Sequence, residues 1–369
     1  MPVLNADGLS VLLAHFGPMI SFGMGKDFVN PQTPDIFDSH THGSSVLSTM
    51  GANLPGQMVG TAPKADYWLL RSEDGGTEYL IEELNWVSAA EFADSVGVDI
   101  INSSLGYTTF DDPSQDHTYE DMDGNTTIIT RGADMAVSKG MIVVNSAGNS
   151  GNGFWQYIGA PADGDSVFSI GAVDGSGNYA SFSSTGPTAD GRLKPNVVAQ
   201  GQGSAIVNPY DGTIGFGSGT SFSSPITAGM VACLWQANPM KRNTEIMQAI
   251  EQSATLANDP DNYLGFGIPD YVSAHTLLTV IEEESDMDSQ IRAFPVPFEN
   301  ELYIEFPLVD NAEVNIELLD VTGKSVYTAT QQNISGSTNL KGFQNLKSGF
   351  YILKVNYGTQ SASAKVMKK

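Results

Sequence analysis

The chain has 369 residues, 41% of them hydrophobic, and 17 Lys and Arg stand against 42 Asp and Glu for a formal charge of −25. That length can bury a large core, as one big domain or two unequal ones, and such acidity repels nucleic acid and anionic membrane. No run of about 18 apolar residues occurs, so no membrane span is expected. The single cysteine, Cys233, rules out an intrachain disulfide and reads as a small apolar residue in a buried helix.

The charge is unevenly spread: residues 1–288 hold 9 basic against 35 acidic side chains, and 289–369 hold 8 against 7. The opening "MPVLNADGLSVLLAHFGPMISFGM" has no Lys or Arg before Lys26, so it lacks the basic start of a secretory signal. From residue 65 short apolar runs alternate with helical spacing. "ADYWLL" (65–70) reads as a strand, 77–97 as a helix, "VDIINSSLG" (98–106) as a strand, about 126–139 as a helix and "MIVVNSAGN" (141–149) as a strand. This βαβ order predicts a parallel sheet with helices on both faces, whose sites collect at the carboxyl ends of the strands.

That rule puts Ser104, Leu105 and Gly106 at one strand end and Asn145 to Asn149 at a neighbouring one. "TSFSSPITAGMVACLWQA" (220–237) then reads as a long apolar helix with Pro225 near its first turn and Ser221 at or just inside its start. The acidic stretch 282–290 reads as a linker between a domain over 1–281 and a second over 291–369. In the latter, "ELYIEF", "AEVNIELLD", "KSVYTA" and "GFYILKVNYG" alternate with period two between turn signals. Such a pattern predicts a small all-β sandwich.

A serine hydroxyl needs a base to take its proton, and acyl transfer needs donors for a developing oxyanion. Three separated segments offer these parts: "DSHTHGSSVLSTM" (38–50) a histidine, "NSAGNSG" (145–151) an amide and "SGTSFSSP" (218–225) the serine. None is diagnostic alone. The "HTH" of 40–42 could also be read as a metal pair, but no third ligand stands in the expected places.

Taken in order, His-Gly-Ser, Ser-Leu-Gly, Ala-Gly-Asn and Gly-Thr-Ser-x-x-Ser-Pro resemble the subtilisin-like serine peptidases over about residues 36–275, together with "GTAPKADYWLLR", "SIGAVDGSGNYASFSSTGP" and "GFGIPDYVSA". The resemblance implies an α/β subtilisin-like fold and a serine endopeptidase of broad specificity acting on proteins or peptides through an acyl-enzyme. Ser221 would be the nucleophile, His42 the general base and then acid, and Asn149 an oxyanion donor beside the Ser221 amide. Ser104, Leu105 and Gly106 would pair with substrate as a strand. His42-Gly43-Ser44 fits the family pattern and His40 does not. No cofactor is needed for the chemistry, and no metal is assigned to the catalytic site.

The implied triad aspartate has three placements: upstream of Met1, the favoured one; Asp7 of "NADG"; or a replacement by Asn5. Without an aspartate the chain would be an exported peptide-binding pseudoenzyme, and a purely adhesive scaffold is a third alternative. The acidic loop 110–125 could hold structural calcium, although the full EF-hand pattern is absent. Finally, Pro295-x-Pro297-Phe298-x-Asn300, Asp320-x-x-Gly323-Lys324, Gly349-x-Tyr351 and the terminal basic residues resemble the C-terminal sorting domain read by type IX secretion machinery. That resemblance implies a secreted or cell-surface protein and an incomplete start.

Overall fold

The computed structural model describes residues 9–14, 22–32, 41–288, 292–305, 313–320, 323–332, 337–357 and 360–369. Asn5, Asp7 and His40 lie outside them. The chain divides into two compact units, Met1–Leu278 and Thr279–Lys369.

The first unit is a seven-stranded sheet in the order β2-β3-β1-β4-β5-β6-β7. Its strands are β1 (Leu9–Ala14), β2 (Phe22–Asp27), β3 (Tyr67–Arg71), β4 (Ile100–Ser103), β5 (Ile142–Ser146), β6 (Phe168–Val173) and β7 (Val197–Gln200). Helices α1 (His42–Gly51), α2 (Ile81–Ser95) and α3 (Ile128–Ser138) fall between strands, and α4 (Thr220–Ala237), α5 (Asn243–Ser253) and α6 (Tyr271–Asp288) follow. A hairpin of β8 (Ser204–Val207) and β9 (Ile214–Gly217) leads into α4.

Side-chain alternation explains the two covered faces. Ile100, Ile142 and Val144 join one core with Val46 and Leu47 of α1, Val231 of α4 and Ile246 of α5. Ile101 and Val143, one residue out of phase, join another with Trp86 and Ala89 of α2 and Ile129 and Ala133 of α3. Strands buried on both faces read as continuous apolar runs, which is why "IVV" carried no alternation.

One strand departs from the parallel order, and the placement of Cys233 is corrected. β1 runs antiparallel to both β3 and β4, whereas the β2–β3, β4–β5, β5–β6 and β6–β7 pairs are parallel. Only residues 15–21 separate β1 from β2, fewer than the dozen or so that a parallel crossover needs. Cys233 is exposed. It sits on the one solvent-facing stripe of α4, with Ile226, Met230 and Ala237, at the four-and-three spacing of a helix face. α6 continues into the acidic stretch through Asp288, because glutamates favour helix and no Gly or Pro interrupts them.

The second unit has two antiparallel sheets around its own core. One is β10 (Arg292–Phe294), β11 (Glu301–Glu305) and β14 (Ser337–Lys341). The other is ordered β13 (Ser325–Gln332), β12 (Glu313–Leu319), β15 (Gly349–Tyr357), β16 (Gln360–Lys368). Leu302, Ile304 and Leu340 from the first meet Ile316, Leu318, Leu353 and Val355 from the second. Alternation along β11 and β12 supplies these inward residues, as a sandwich requires.

Candidate active site

α4 begins at Thr220 because Gly219, its N-cap, takes φ 154° and ψ 151°, a conformation costly to any side chain. The Gly219 amide is tied to the Gly201 carbonyl at 2.8 Å. Ser221 is therefore the second residue of the helix and 9% exposed. Among the described residues its backbone N–H has no acceptor. An unpaired amide at the positive end of a helix favours developing negative charge.

Pro225 is the sixth residue of α4. It cannot donate to the carbonyl four residues back, so the Ser221 carbonyl is left without its helical partner. Ser104 Oγ donates to that carbonyl at 3.0 Å. Ser104 Oγ in turn accepts from Asn102 Nδ2 at 3.3 Å, and Asn102 Oδ1 accepts from Ser224 Oγ at 2.9 Å. The end of β4 is thus stitched to the first two turns of α4.

Asn149 follows β5 in a turn that needs Gly148 at φ 109°. Its Oδ1 accepts from the Thr220 amide at 2.8 Å and from Thr220 Oγ1 at 3.0 Å. Both partners are donors to the oxygen, which fixes Oδ1 as the acceptor and Nδ2 as the donor of this side chain. His42 opens α1. Val46, Leu47 and Met50 anchor that helix in the core it shares with α4. The His42 ring centre lies 6.3 Å from that of Phe222, the neighbour of Ser221.

Ser104, Leu105, Gly106, Asn149 and Ser221 surround one pocket of about 140 Å³, closed by Ser146, Trp155, Tyr157, Gly159 and Ser184. No charged residue lines it. Trp155, Tyr157 and Thr220 were missed by sequence reasoning. The first two lie in a glycine-punctuated loop without periodicity, and Thr220 showed only as part of the "GTS" motif.

Asp27, at the end of β2, is buried and also missed. Its Oδ2 pairs with Arg71 at 2.9 Å, and its Oδ1 accepts from the amides of Val29 and Asn30, both at 2.8 Å. In the acidic loop the carboxylates cap local backbone: Asp112 accepts from Ser114, Asp116 from Phe110, Asp121 from Thr118 and Asp123 from Asn125 and Thr126. The Ser114 amide holds the Asp112 carboxyl below its ordinary range.

A parallel sheet carrying a serine at a helix start, an asparagine after β5 and an extended segment after β4 defines a subtilisin-type fold. Residues 21–267 match the model of the subtilase family, and the chain belongs to that family. Among curated relatives, subtilisin E of Bacillus subtilis (strain 168) is 32% identical over 256 residues, 68% of this chain and 60% of that protein. Subtilisin of Bacillus pumilus is 31% identical over 256 residues, 68% of this chain and 83% of that protein. The chain thus spans 60% of the length of the first curated relatives. A crystal structure of MycP1 from the ESX-1 type VII secretion system superposes with a TM-score of 0.56 at 22% identity, over 68% of this chain and 74% of that one. At that identity it bears on the fold alone.

Residues 292–369 match a secretion system C-terminal sorting domain, which marks the chain for export to the cell surface or beyond. No described helix is long and apolar enough to cross a membrane.

Proposed function

We propose that the chain is an exported serine endopeptidase that hydrolyses peptide bonds through an acyl-enzyme. Support comes above all from the convergence of Ser221, Asn149 and the 104–106 segment on one pocket at the carboxyl ends of β4 and β5. Substrate would pair its backbone along Ser104–Gly106 and insert one side chain among Leu105, Trp155 and Tyr157. An uncharged lining admits neutral side chains and rejects unpaired charge, whose burial is costly.

Ser221 Oγ would attack the carbonyl carbon as His42 takes its proton. Asn149 Nδ2 and the Ser221 amide would receive the oxyanion. The imidazolium would then protonate the leaving amine, and water would release the acid by the same steps in reverse. In a subtilisin, loss of the aspartate costs about 3 × 10⁴ in kcat, so the residue that orients His42 sets the turnover of this chain.

The test is covalent labelling of the full chain with a fluorophosphonate, read by mass spectrometry. Labelling on Ser221 that disappears in Ser221→Ala supports a peptidase. Labelling that persists in the variant refutes the nucleophile, and peptide binding without labelling or cleavage identifies the peptide-binding alternative.

A further inference from the structure

The Leu105 carbonyl, in the middle of the 104–106 segment, is turned toward β5. It accepts from Asn145 Nδ2 at 3.1 Å and from Ser146 Oγ at 3.4 Å. Asn145 stands opposite Ser103 where β4 and β5 run side by side, and it is fully buried. Its Nδ2 also donates to the Ser146 carbonyl at 2.8 Å. Two carbonyl partners fix that end of the amide as the donor. The other end, Oδ1, is buried and among the described residues has no hydrogen-bond partner. A buried acceptor without a donor costs stability, and Ile142, Val143 and Val144 before it are apolar and buried. Packing alone would favour a fourth apolar side chain here.

In an extended chain the N–H and C=O of alternate residues point to opposite edges. Holding the Leu105 carbonyl against β5 therefore turns the backbone groups of Ser104 and Gly106 to the open side. Both are found so disposed: the Ser104 carbonyl accepts from Ser221 Oγ at 3.4 Å, and among the described residues the exposed Gly106 takes no backbone hydrogen bond. The segment enters from β4, which ends at Ser103, and Tyr107 after it exchanges backbone bonds with Ala160 at 2.8 and 3.2 Å. Its middle is left to Asn145 and Ser146.

We propose that Asn145 is the positioning residue of the peptide-binding segment: it locks the Leu105 carbonyl inward so that Ser104 and Gly106 offer their backbone to an extended peptide, a role that rests on the reading of 104–106 as the substrate strand. Ser146 lines the pocket and Asn145 does not, so Asn145 acts through Leu105 and not on the peptide itself. Stability lost at its unpaired oxygen is exchanged for a segment ordered before substrate arrives, which lowers the cost of binding.

The experiment separates binding from catalysis. Ser221→Ala in the full chain is the reference, titrated with a fluorescent neutral hexapeptide and followed by anisotropy, with thermal melting alongside. Asn145→Leu and Asn145→Ala, each added to the reference, should bind the peptide about tenfold more weakly. Asn145→Leu keeps the branched shape of the amide and should melt no lower than the reference, since the unpaired acceptor is gone and the Leu105 carbonyl keeps Ser146 Oγ. Methylation of the peptide nitrogens in turn should find one that costs the reference about tenfold and the variants little, because the two losses share one contact. Equal binding by the reference and both variants overturns the role of Asn145 and leaves the proposed function standing. Weaker binding accompanied by lower melting in both variants, with the methylation penalty unchanged, would make Asn145 a structural residue and overturn it as well. Absence of binding by the reference overturns the substrate segment itself, while labelling of Ser221 tests the nucleophile separately.

Discussion

Ser104 Oγ donates to the Ser221 carbonyl at 3.0 Å, across 117 residues of sequence, and fills the place that Pro225 leaves empty within α4. Ser104→Ala should leave that carbonyl unsatisfied in a buried site, at a cost of about 1–3 kcal/mol. Pro225→Ala restores an N–H four residues on. In that background the cost of Ser104→Ala should shrink, with a coupling of about 1 kcal/mol. Urea denaturation of the two single variants and the double variant measures it; strictly additive losses would show that the two groups do not share the carbonyl.

Asn149 is aimed by Thr220, which gives Oδ1 both its amide and its hydroxyl. Asn149→Leu should lower kcat by about 10²–10³ with little change in KM. Thr220→Val keeps the amide bond and loses only the hydroxyl, about 1 kcal/mol, so its kcat should fall by about fivefold. Steady-state kinetics on a neutral peptide substrate separates the two parameters. A loss of the same size carried by KM would make Asn149 a substrate-positioning group instead.

Lys194 is buried, 2% exposed, and donates to the Val167 carbonyl at 2.6 Å and to Asn196 Oδ1 at 3.0 Å. Burial, then Arg192, lowers its ammonium to about 8, against the opposing pull of Asp163, Asp134 and Glu251. The unfolded chain, with a lysine near about 10.4, binds more protons between those values. Stability contributed by this group therefore rises as pH goes from about 8 to about 10 and is flat below. Lys194→Met should remove that rise. Chemical denaturation of both proteins at pH 8 and pH 10 checks it, and identical slopes would contradict it.

The β/α order was legible because each strand is a short apolar run closed by turn residues, and His42, Asn149 and Ser221 each stood in a motif that names its place. The pocket was not, since Trp155 and Tyr157 reach it from a loop whose spacing encodes nothing. The exposure of Cys233 was hidden because α4 is apolar on nearly every side. The direction of β1 depends on the length of a connection, which apolar pattern does not report.

The sorting unit draws its core from residues 298–366, with Ala293 packed against it, and the peptidase unit draws its two main cores from 46–278. Deleting 292–369 should therefore leave the thermal melting of residues 1–288 within about 2 °C, while abolishing export in a host with a type IX system. Scanning calorimetry and fractionation of the culture read the two effects. A melting temperature several degrees lower with export intact would reverse the assignment.

α4 packs against β4, β5, β6 and β7, so the helix carrying Ser221 cannot seat until four strands already exist. Ribosomes add about 5–20 residues per second, and at that pace the stretch from the end of β4 to the end of α4 takes about 7–27 s to emerge. Every other residue lining the pocket, from Ser104 to Ser184, precedes Ser221 in the chain, so the serine is the last part of the site to be made. The pocket can therefore be complete only once nearly all of the first unit has been translated: the order of its segments works as a timer.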